Sequence, residues 1–172
     1  MSKINQIENA ILKLEGGKFQ KLVDQYLYRK YKFSNIQSLG SQQGTDKPTK
    51  GVPDSYVRTL DGKYIAIMYG TYTKEAAKFV KVKSDIISCL ERVKDEDLTE
   101  IICCHTSSNF TIEQNKELCS LFDNVTLIGI NTLSNDLLYH YPMLAEDYLS
   151  VQIDTKQILS QPHFLESFEL IH

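Results

Sequence analysis

Two sets of apolar residues near the start of the chain recur at helical spacing and are separated by a pair of glycines. The spacing predicts two helices, or one broken helix, each with one face turned to a core. The first set is Ile4, Ile7, Ile11 and Leu14, and the second is Phe19, Leu22, Val23, Tyr26 and Leu27.

A β-hairpin is predicted in the middle of the chain. A short strand candidate at 36–39 is followed by a polar loop, 40–52, that is rich in turn-forming residues. The segments 54–59 and 63–68 then flank Asp61-Gly62, a pair that favours a tight turn. We therefore expect these two segments to pair in antiparallel fashion.

Helical and strand patterns alternate in the second half. Segments 98–104 and 125–130 are almost wholly apolar, as in strands buried on both faces. Thr111 and Gln114 have the spacing of a capping box, which predicts a helix from about 112 to 122. Further helices are expected at 131–141 and 143–149, separated by Pro142, and one with apolar positions Phe79, Val82, Ile86, Leu90 and Val93. The alternation predicts an α/β fold in which helices flank a mixed sheet.

Length and composition place the chain among globular proteins. Its 172 residues, 42% of them hydrophobic, suit one domain with a substantial core. The apolar runs are too short to span a membrane and the first residues do not resemble a signal peptide, so we expect a cytoplasmic protein without a membrane partner. The four cysteines have no zinc-ligand spacing, which favours buried free thiols.

The charge is unevenly distributed along the chain. Residues 47–83 carry eight Lys/Arg and three Asp/Glu, whereas residues 84–172 carry four and fifteen. A basic segment suits a polyanionic partner such as nucleic acid, although the lysines between 74 and 83 could simply form a solvated helix face. The candidate phosphate contacts are Lys47, Lys50, Lys63, Lys74, Lys78, Lys81 and Lys83.

Asp54 opens the first strand of the predicted hairpin, directly after a Gly/Pro loop. A carboxylate held at the start of a strand can present an oxygen ligand to Mg²⁺ at a fixed depth. The other interpretation is a turn residue that caps the hairpin. Tyr69 and Thr71, just after the second strand, could line a substrate groove, or could be residues that simply favour a strand.

Four segments stand out when they are read together with this order of elements: Leu14-Glu15-Gly16-Gly17-Lys18-Phe19-Gln20, Gly44-Thr45-Asp46-Lys47, Gly51-Val52-Pro53-Asp54 and Val125-Thr126-Leu127-Ile128-Gly129. The order of elements resembles the restriction-endonuclease-like fold of the PD-(D/E)XK superfamily. The four segments are similar to motifs of the N-terminal nuclease-like domain of bacterial antiviral STAND NTPases and related NACHT-containing defence proteins. The resemblance covers residues 1–150, and it implies that 151–172 form a connector to a further domain.

The resemblance implies a metal-dependent DNA endonuclease that uses Mg²⁺ (or Mn²⁺). Asp54 would be the central metal ligand and Glu15 the helix-borne acid that completes the site. The family's second strand ends in an acid, any residue and a lysine, but this chain has Met68-Tyr69-Gly70 there. A lost acid removes a metal ligand, and a lost lysine removes the group that offsets developing charge.

Two hypotheses therefore remain open at the level of sequence. In the first, the active site is rebuilt from Glu15, Asp46 and Asp54 with Lys47 or Lys74 as the catalytic lysine. In the second, the domain is a degenerate nuclease fold that binds nucleic acid or mediates assembly without cutting. The oligomeric state is open, although a homo-oligomer suits the first hypothesis because a DNA duplex has two strands to cut.

Overall fold

Five strands form one mixed sheet in the described part of the chain. The structure is a computed structural model, and it describes residues 1–38, 53–72 and 75–153. The strands lie in sequence order across the sheet, with antiparallel pairing as far as the third strand and parallel pairing beyond it. They are β1 (Ile36–Ser38), β2 (Ser55–Arg58), β3 (Tyr64–Gly70), β4 (Leu98–His105) and β5 (Val125–Ile128).

Six helices flank the sheet in the described residues, and the predicted α/β fold is confirmed. The capping box of Thr111 and Gln114 is present, and Pro142 begins the last helix, where its missing N–H leaves no hydrogen bond unmade. The helices are α1 (Lys3–Leu12), α2 (Gly16–Tyr31), α3 (Glu75–Arg92), α4 (Ile112–Cys119), α5 (Ile130–Tyr139) and α6 (Pro142–Leu149). None of these described helices is long and apolar enough to cross a bilayer.

The hairpin between β2 and β3 forms as predicted. Ser55 lies opposite Ile67 and Val57 opposite Ile65. Gly62 closes the turn with φ +82°, a left-handed conformation that glycine adopts without steric cost.

The sheet separates two hydrophobic cores because successive side chains of a strand point to opposite faces. The first core lies between the sheet and helices α1, α2, α5 and α6, and contains Ile65, Ile67 and Ile102. The second core lies between the sheet and helices α3 and α4, and contains Met68 and Ile101. Strands β3 and β4 are consequently buried on both faces.

The ends of several strands meet at one edge of the sheet, which we call the carboxyl edge. Gly70 at the end of β3 pairs with His105 at the end of β4, and β5 ends beside them. Strand β2 runs the other way, so it begins at this edge. Asp54 precedes β2, and its N–H donates to the Ile67 carbonyl oxygen at 3.1 Å. Asp54 therefore lies at the carboxyl edge.

Candidate functional site

Asp54 projects from the carboxyl edge toward helix α3. Ser55 and Val57 face α2 and the first core, so the alternation of the strand turns the Asp54 side chain to the opposite face, beside Met68. The Asp54 Oδ2 accepts a hydrogen bond from the Tyr69 N–H at 2.9 Å. The carboxyl is half-buried, and strand β3 lies beside it.

Burial raises the pKa of Asp54 from 3.8 to about 6, although the Tyr69 N–H bond acts in the opposite direction. Two charged groups of α3 also act on this pKa: Asp85 raises it and Lys81 lowers it. A carboxyl with a perturbed pKa at a strand edge is a common feature of functional sites.

Lys81 and Asp85 form an ion pair one turn apart on α3, with 2.7 Å between Nζ and Oδ1. The Lys81 side chain is 58% exposed, whereas that of Asp85 is only 16% exposed. The next residue after each, Val82 and Ile86, is buried in the second core, so α3 holds the pair against the Asp54 face of the sheet. Asp85 shares a small cavity with Met68, Gly70, Tyr72 and Val82.

The resemblance to nucleases predicts a second acid and a lysine at the positions that Met68 and Gly70 occupy. Met68 is 3% exposed and packs in the second core, where a thioether fills space between the sheet and α3. A Cβ atom on Gly70 would overlap the ring of Tyr72. A core side chain and an aromatic ring thus take up the space in which the expected acid and lysine would lie.

A polar network lies behind Asp54, on the α2 side of the sheet. The Tyr69 hydroxyl donates to Asp24, whose pKa burial raises to about 6, and also contacts Ser55. The Gln20 side-chain amide donates to Ser38 at 2.6 Å and to Ser55 at 3.3 Å. Tyr69, predicted as a nucleic-acid contact, is therefore engaged with α2 through its hydroxyl and packs against the first core.

Glu15 does not share the immediate surroundings described for Asp54. It is an exposed N-cap residue of α2, and α2 packs on the opposite face of the sheet from α3. The described charged groups that act on Asp54 belong to α3 instead. The assignment of Glu15 as a metal ligand stays a prediction. Asp46, Lys47, Lys50 and Lys74 lie outside the described residues.

Lys78 was predicted as a phosphate contact, but the structure gives it another role. It is 5% exposed, and its ammonium donates to the Ser108 carbonyl oxygen at 2.6 Å and to the Ser108 hydroxyl at 3.0 Å. It also lies 5.1 Å from the centre of the Phe110 ring. These contacts tie α3 to the segment before α4 and leave the ammonium turned away from solvent.

Lys63 lies at the end of β3 remote from Asp54, roughly 16 Å away along the strand at about 3.3 Å per residue. It is exposed and lines an open cavity with several acids, Asp61, Asp95, Glu96 and Asp123. The negative charge of these acids makes the surface around Lys63 unfavourable for a phosphate backbone. Thr71 and Lys81 are the predicted nucleic-acid contacts that the structure leaves exposed near Asp54.

Asp54 and Asp85 supply carboxylate oxygens, the donors that Mg²⁺ prefers, and Mg²⁺ commonly uses one or two carboxylates together with water. The donor chemistry therefore fits this ion. Within residues 1–38, 53–72 and 75–153, no group of three or more His, Cys, Asp or Glu side chains is arranged to hold a metal.

The sequence alone did not single out Asp85, Gln20 or Asp24. Asp85 lies four residues after Lys81, and Asp24 lies four residues after Gln20, and both pairs border apolar positions of a helix. That spacing was the available signal.

Comparison of the chain with protein-family models, curated proteins and solved structures gave no match.

Proposed function

We propose that this chain is a Mg²⁺-dependent DNA endonuclease domain of the restriction-endonuclease-like class, acting in the cytoplasm as the effector of a larger antiphage defence protein. The observation that carries the proposal is the Asp54 carboxyl. It is half-buried at the start of β2, its pKa is raised to about 6, and it faces an acid and a lysine on α3. The sequence motifs around Asp54 support the same class.

The residues at this edge have distinct tasks in the proposed reaction. The Tyr69 N–H fixes the Asp54 carboxylate, which would hold the cation together with Asp85. When bound, the ion would supply positive charge and a water of lowered pKa. Thr71 follows β3 at the same edge and could donate its hydroxyl to a phosphate oxygen. DNA would therefore approach across the ends of β2 and β3.

The test is cleavage of supercoiled plasmid DNA by the full chain with Mg²⁺ or Mn²⁺. We expect nicked or linear product from the wild type and a loss of about 10²- to 10³-fold in rate for Asp54→Ala, the size typical of removing one electrostatic contact to the transition state. Asp147→Ala, which removes an exposed acid of α6, is the matched control. Equal cleavage by wild type and Asp54→Ala would contradict the assignment of Asp54.

Metal binding can be measured apart from cleavage. A ligand that binds only the folded state raises the melting temperature. Mn²⁺ should therefore raise the melting temperature of the wild type at pH 7.5 and leave that of Asp54→Ala unchanged. An equal rise in both proteins would place the ion elsewhere.

The second candidate function is binding or assembly without cutting. The buried Met68 and the Tyr72 ring over Gly70 favour it, because they occupy the places of the family's second acid and lysine. In that case fluorescence anisotropy would detect DNA or RNA binding, or light scattering a homo-oligomer, while the nucleic acid stays intact. Asp54→Ala would then behave as the wild type.

A further inference from the structure

Gly70 stands where the nuclease motif has its lysine, and a lysine side chain would not fit there in this structure. Gly70 carries no side chain, and the space above it is filled by the ring of Tyr72. Any replacement must therefore reach the Asp54 face from another element. Helices α3 and α4 pack on that face, and α3 is the one that carries the charged groups acting on Asp54.

Helix α3 carries three lysines, and only one of them is placed near Asp54. Lys78 is buried on Ser108. Lys83 turns to α4, where its ammonium lies 2.6 Å from the Glu117 carboxylate. Lys81 pairs with Asp85, which lines the cavity beside Met68, Gly70 and Tyr72.

The ion pair also gives Lys81 the two properties that such a residue needs. Asp85 is largely buried and borders the sheet, so it provides a fixed anchor for the ammonium at 2.7 Å. Lys81 itself is 58% exposed, so a phosphate group can reach it. Both residues lie close enough to Asp54 to change its pKa, which Asp85 raises and Lys81 lowers.

We propose that the Lys81–Asp85 pair supplies, from α3, the lysine and the acid that the second strand lacks. Lys81 is the catalytic residue that contacts the scissile phosphate. Asp85 positions Lys81 and would also offer a carboxylate oxygen to the cation beside Asp54. This inference rests on the proposed nuclease function. It assigns the lysine to a helix instead of to the segments that contain Lys47 and Lys74.

The chemistry asked of Lys81 is electrostatic. In hydrolysis the oxygen of a water molecule bonds to phosphorus and the bond from phosphorus to one bridging oxygen breaks. One proton of the water goes to the departing oxygen and the other to solvent. The Lys81 ammonium keeps its protons throughout and offsets the negative charge that grows on the phosphate oxygens.

The experiment compares Lys81→Ala with Lys83→Ala in the full chain, using steady-state DNA cleavage with Mg²⁺. Both variants remove a lysine of α3 that has an acidic partner, so they differ in position and not in charge. We expect Lys81→Ala to lower kcat by about 10²- to 10³-fold with KM little changed. Lys83→Ala should change at most KM, because the Lys83 ammonium pairs with Glu117 of α4. Lys81→Arg should restore part of the activity, since it keeps the positive charge.

Asp85→Asn tests the second residue of the pair. It should lower kcat less than Lys81→Ala does, without a change in melting temperature, because the amide oxygen can still accept a hydrogen bond from Lys81 and can still face the cation. If Asp85→Asn unfolds the protein, the Lys81 variants decide the matter, because Lys81 lies on the surface.

The outcomes separate this inference from the proposed function. If wild type cuts and Asp54→Ala does not, but Lys81→Ala cuts like wild type, only this inference is overturned. If Lys81→Ala raises KM and lowers the salt slope of DNA binding by about one with kcat unchanged, Lys81 is a phosphate contact and the catalytic role is overturned. A wild type that cuts no DNA with either ion overturns both.

Discussion

Tyr69 joins two half-buried carboxyls that lie on opposite faces of the sheet. Its backbone N–H donates to Asp54 on the α3 side, and its hydroxyl donates to Asp24 on the α2 side. Burial raises the pKa of each acid to about 6. Both carboxylates are therefore ionised at neutral pH at a cost in stability. For Asp54 the proposed function explains why such a group is kept.

Asp24 gives a pH prediction at the residue scale. Its folded pKa of about 6 lies above the ordinary value of 3.8, so the folded state binds the extra proton between these values. The free energy of unfolding consequently falls as pH rises from about 4 to about 6. Asp24→Asn removes this cost, and it should raise the free energy of unfolding at pH 7.5 by roughly 2 kcal/mol.

Urea unfolding of Asp24→Asn and wild type at pH 7.5 and at pH 4 measures the effect. The gain should be present at pH 7.5 and much smaller at pH 4, where the wild-type carboxyl is protonated in the folded state and only partly ionised in the unfolded state. Asp147→Asn, at an exposed position, is the control. A gain of the same size at both pH values would show that titration of Asp24 is not its cause.

Gly70 and Tyr72 give a second prediction. A Cβ on Gly70 overlaps the Tyr72 ring, so Gly70→Ala must displace that ring and should cost about 1 to 3 kcal/mol, the usual range for overpacking. In a Tyr72→Ala background the same change should cost much less. Thermal unfolding of the two single variants and the double variant gives the coupling free energy. Additive effects would show that the ring does not occupy this space.

The sequence predicted Asp54 at the start of a strand, because the Gly/Pro loop and the hairpin pattern are local signals. It did not predict the surroundings of Asp54. Periodicity places Lys78 and Lys81 on helix faces, but it does not show that Ser108 lies beside one and Asp85 holds the other near the sheet. Those contacts depend on packing between distant segments.

At the scale of the element, helix α3 carries one buried lysine, Lys78, and a more exposed one, Lys83, whose losses should differ in their effect on stability. Lys78→Ala leaves the Ser108 carbonyl and hydroxyl without the ammonium that they bind. Loss of a buried charged hydrogen-bond donor should destabilise the fold by about 2 to 3 kcal/mol. Lys83→Ala breaks an exposed pair with Glu117 and should cost less than about 1 kcal/mol.

Thermal unfolding checks this contrast, and DNA binding adds a second measurement. If Lys78 were a phosphate contact, its replacement would weaken binding and reduce the salt slope while leaving stability unchanged. That result would contradict the structural role.

The capping box of α4 provides another prediction at the element scale. The Thr111 hydroxyl accepts from the Gln114 N–H at 3.2 Å, and the Gln114 side chain accepts from the Thr111 N–H at 3.2 Å. Thr111→Ala should lower the free energy of unfolding by about 1 kcal/mol, whereas Thr111→Ser keeps the hydroxyl and should cost much less. Urea unfolding measures both. An equal loss in the two variants would argue against a capping role.

For the whole molecule, the sequence predicted the class of fold and most elements, because hydrophobic periods of two and of 3.6 residues are local. The apolar run at 98–104 indicated a strand buried on both faces, and β4 is such a strand. The division of its residues between two cores was not predicted. A strand pattern that is apolar throughout does not show which helices cover each face.

That division supplies the last prediction. Ile101 and Ile102 are adjacent on β4 and fully buried, but Ile101 lies in the second core and Ile102 in the first. Because both cores share the same central strands, loss of either should unfold the other, so the molecule should behave as one cooperative unit. Ile101→Ala and Ile102→Ala should each cost about 2 to 5 kcal/mol. Far- and near-ultraviolet circular dichroism should report a single coincident transition in both variants. A second transition in only one of them would show that its core unfolds independently.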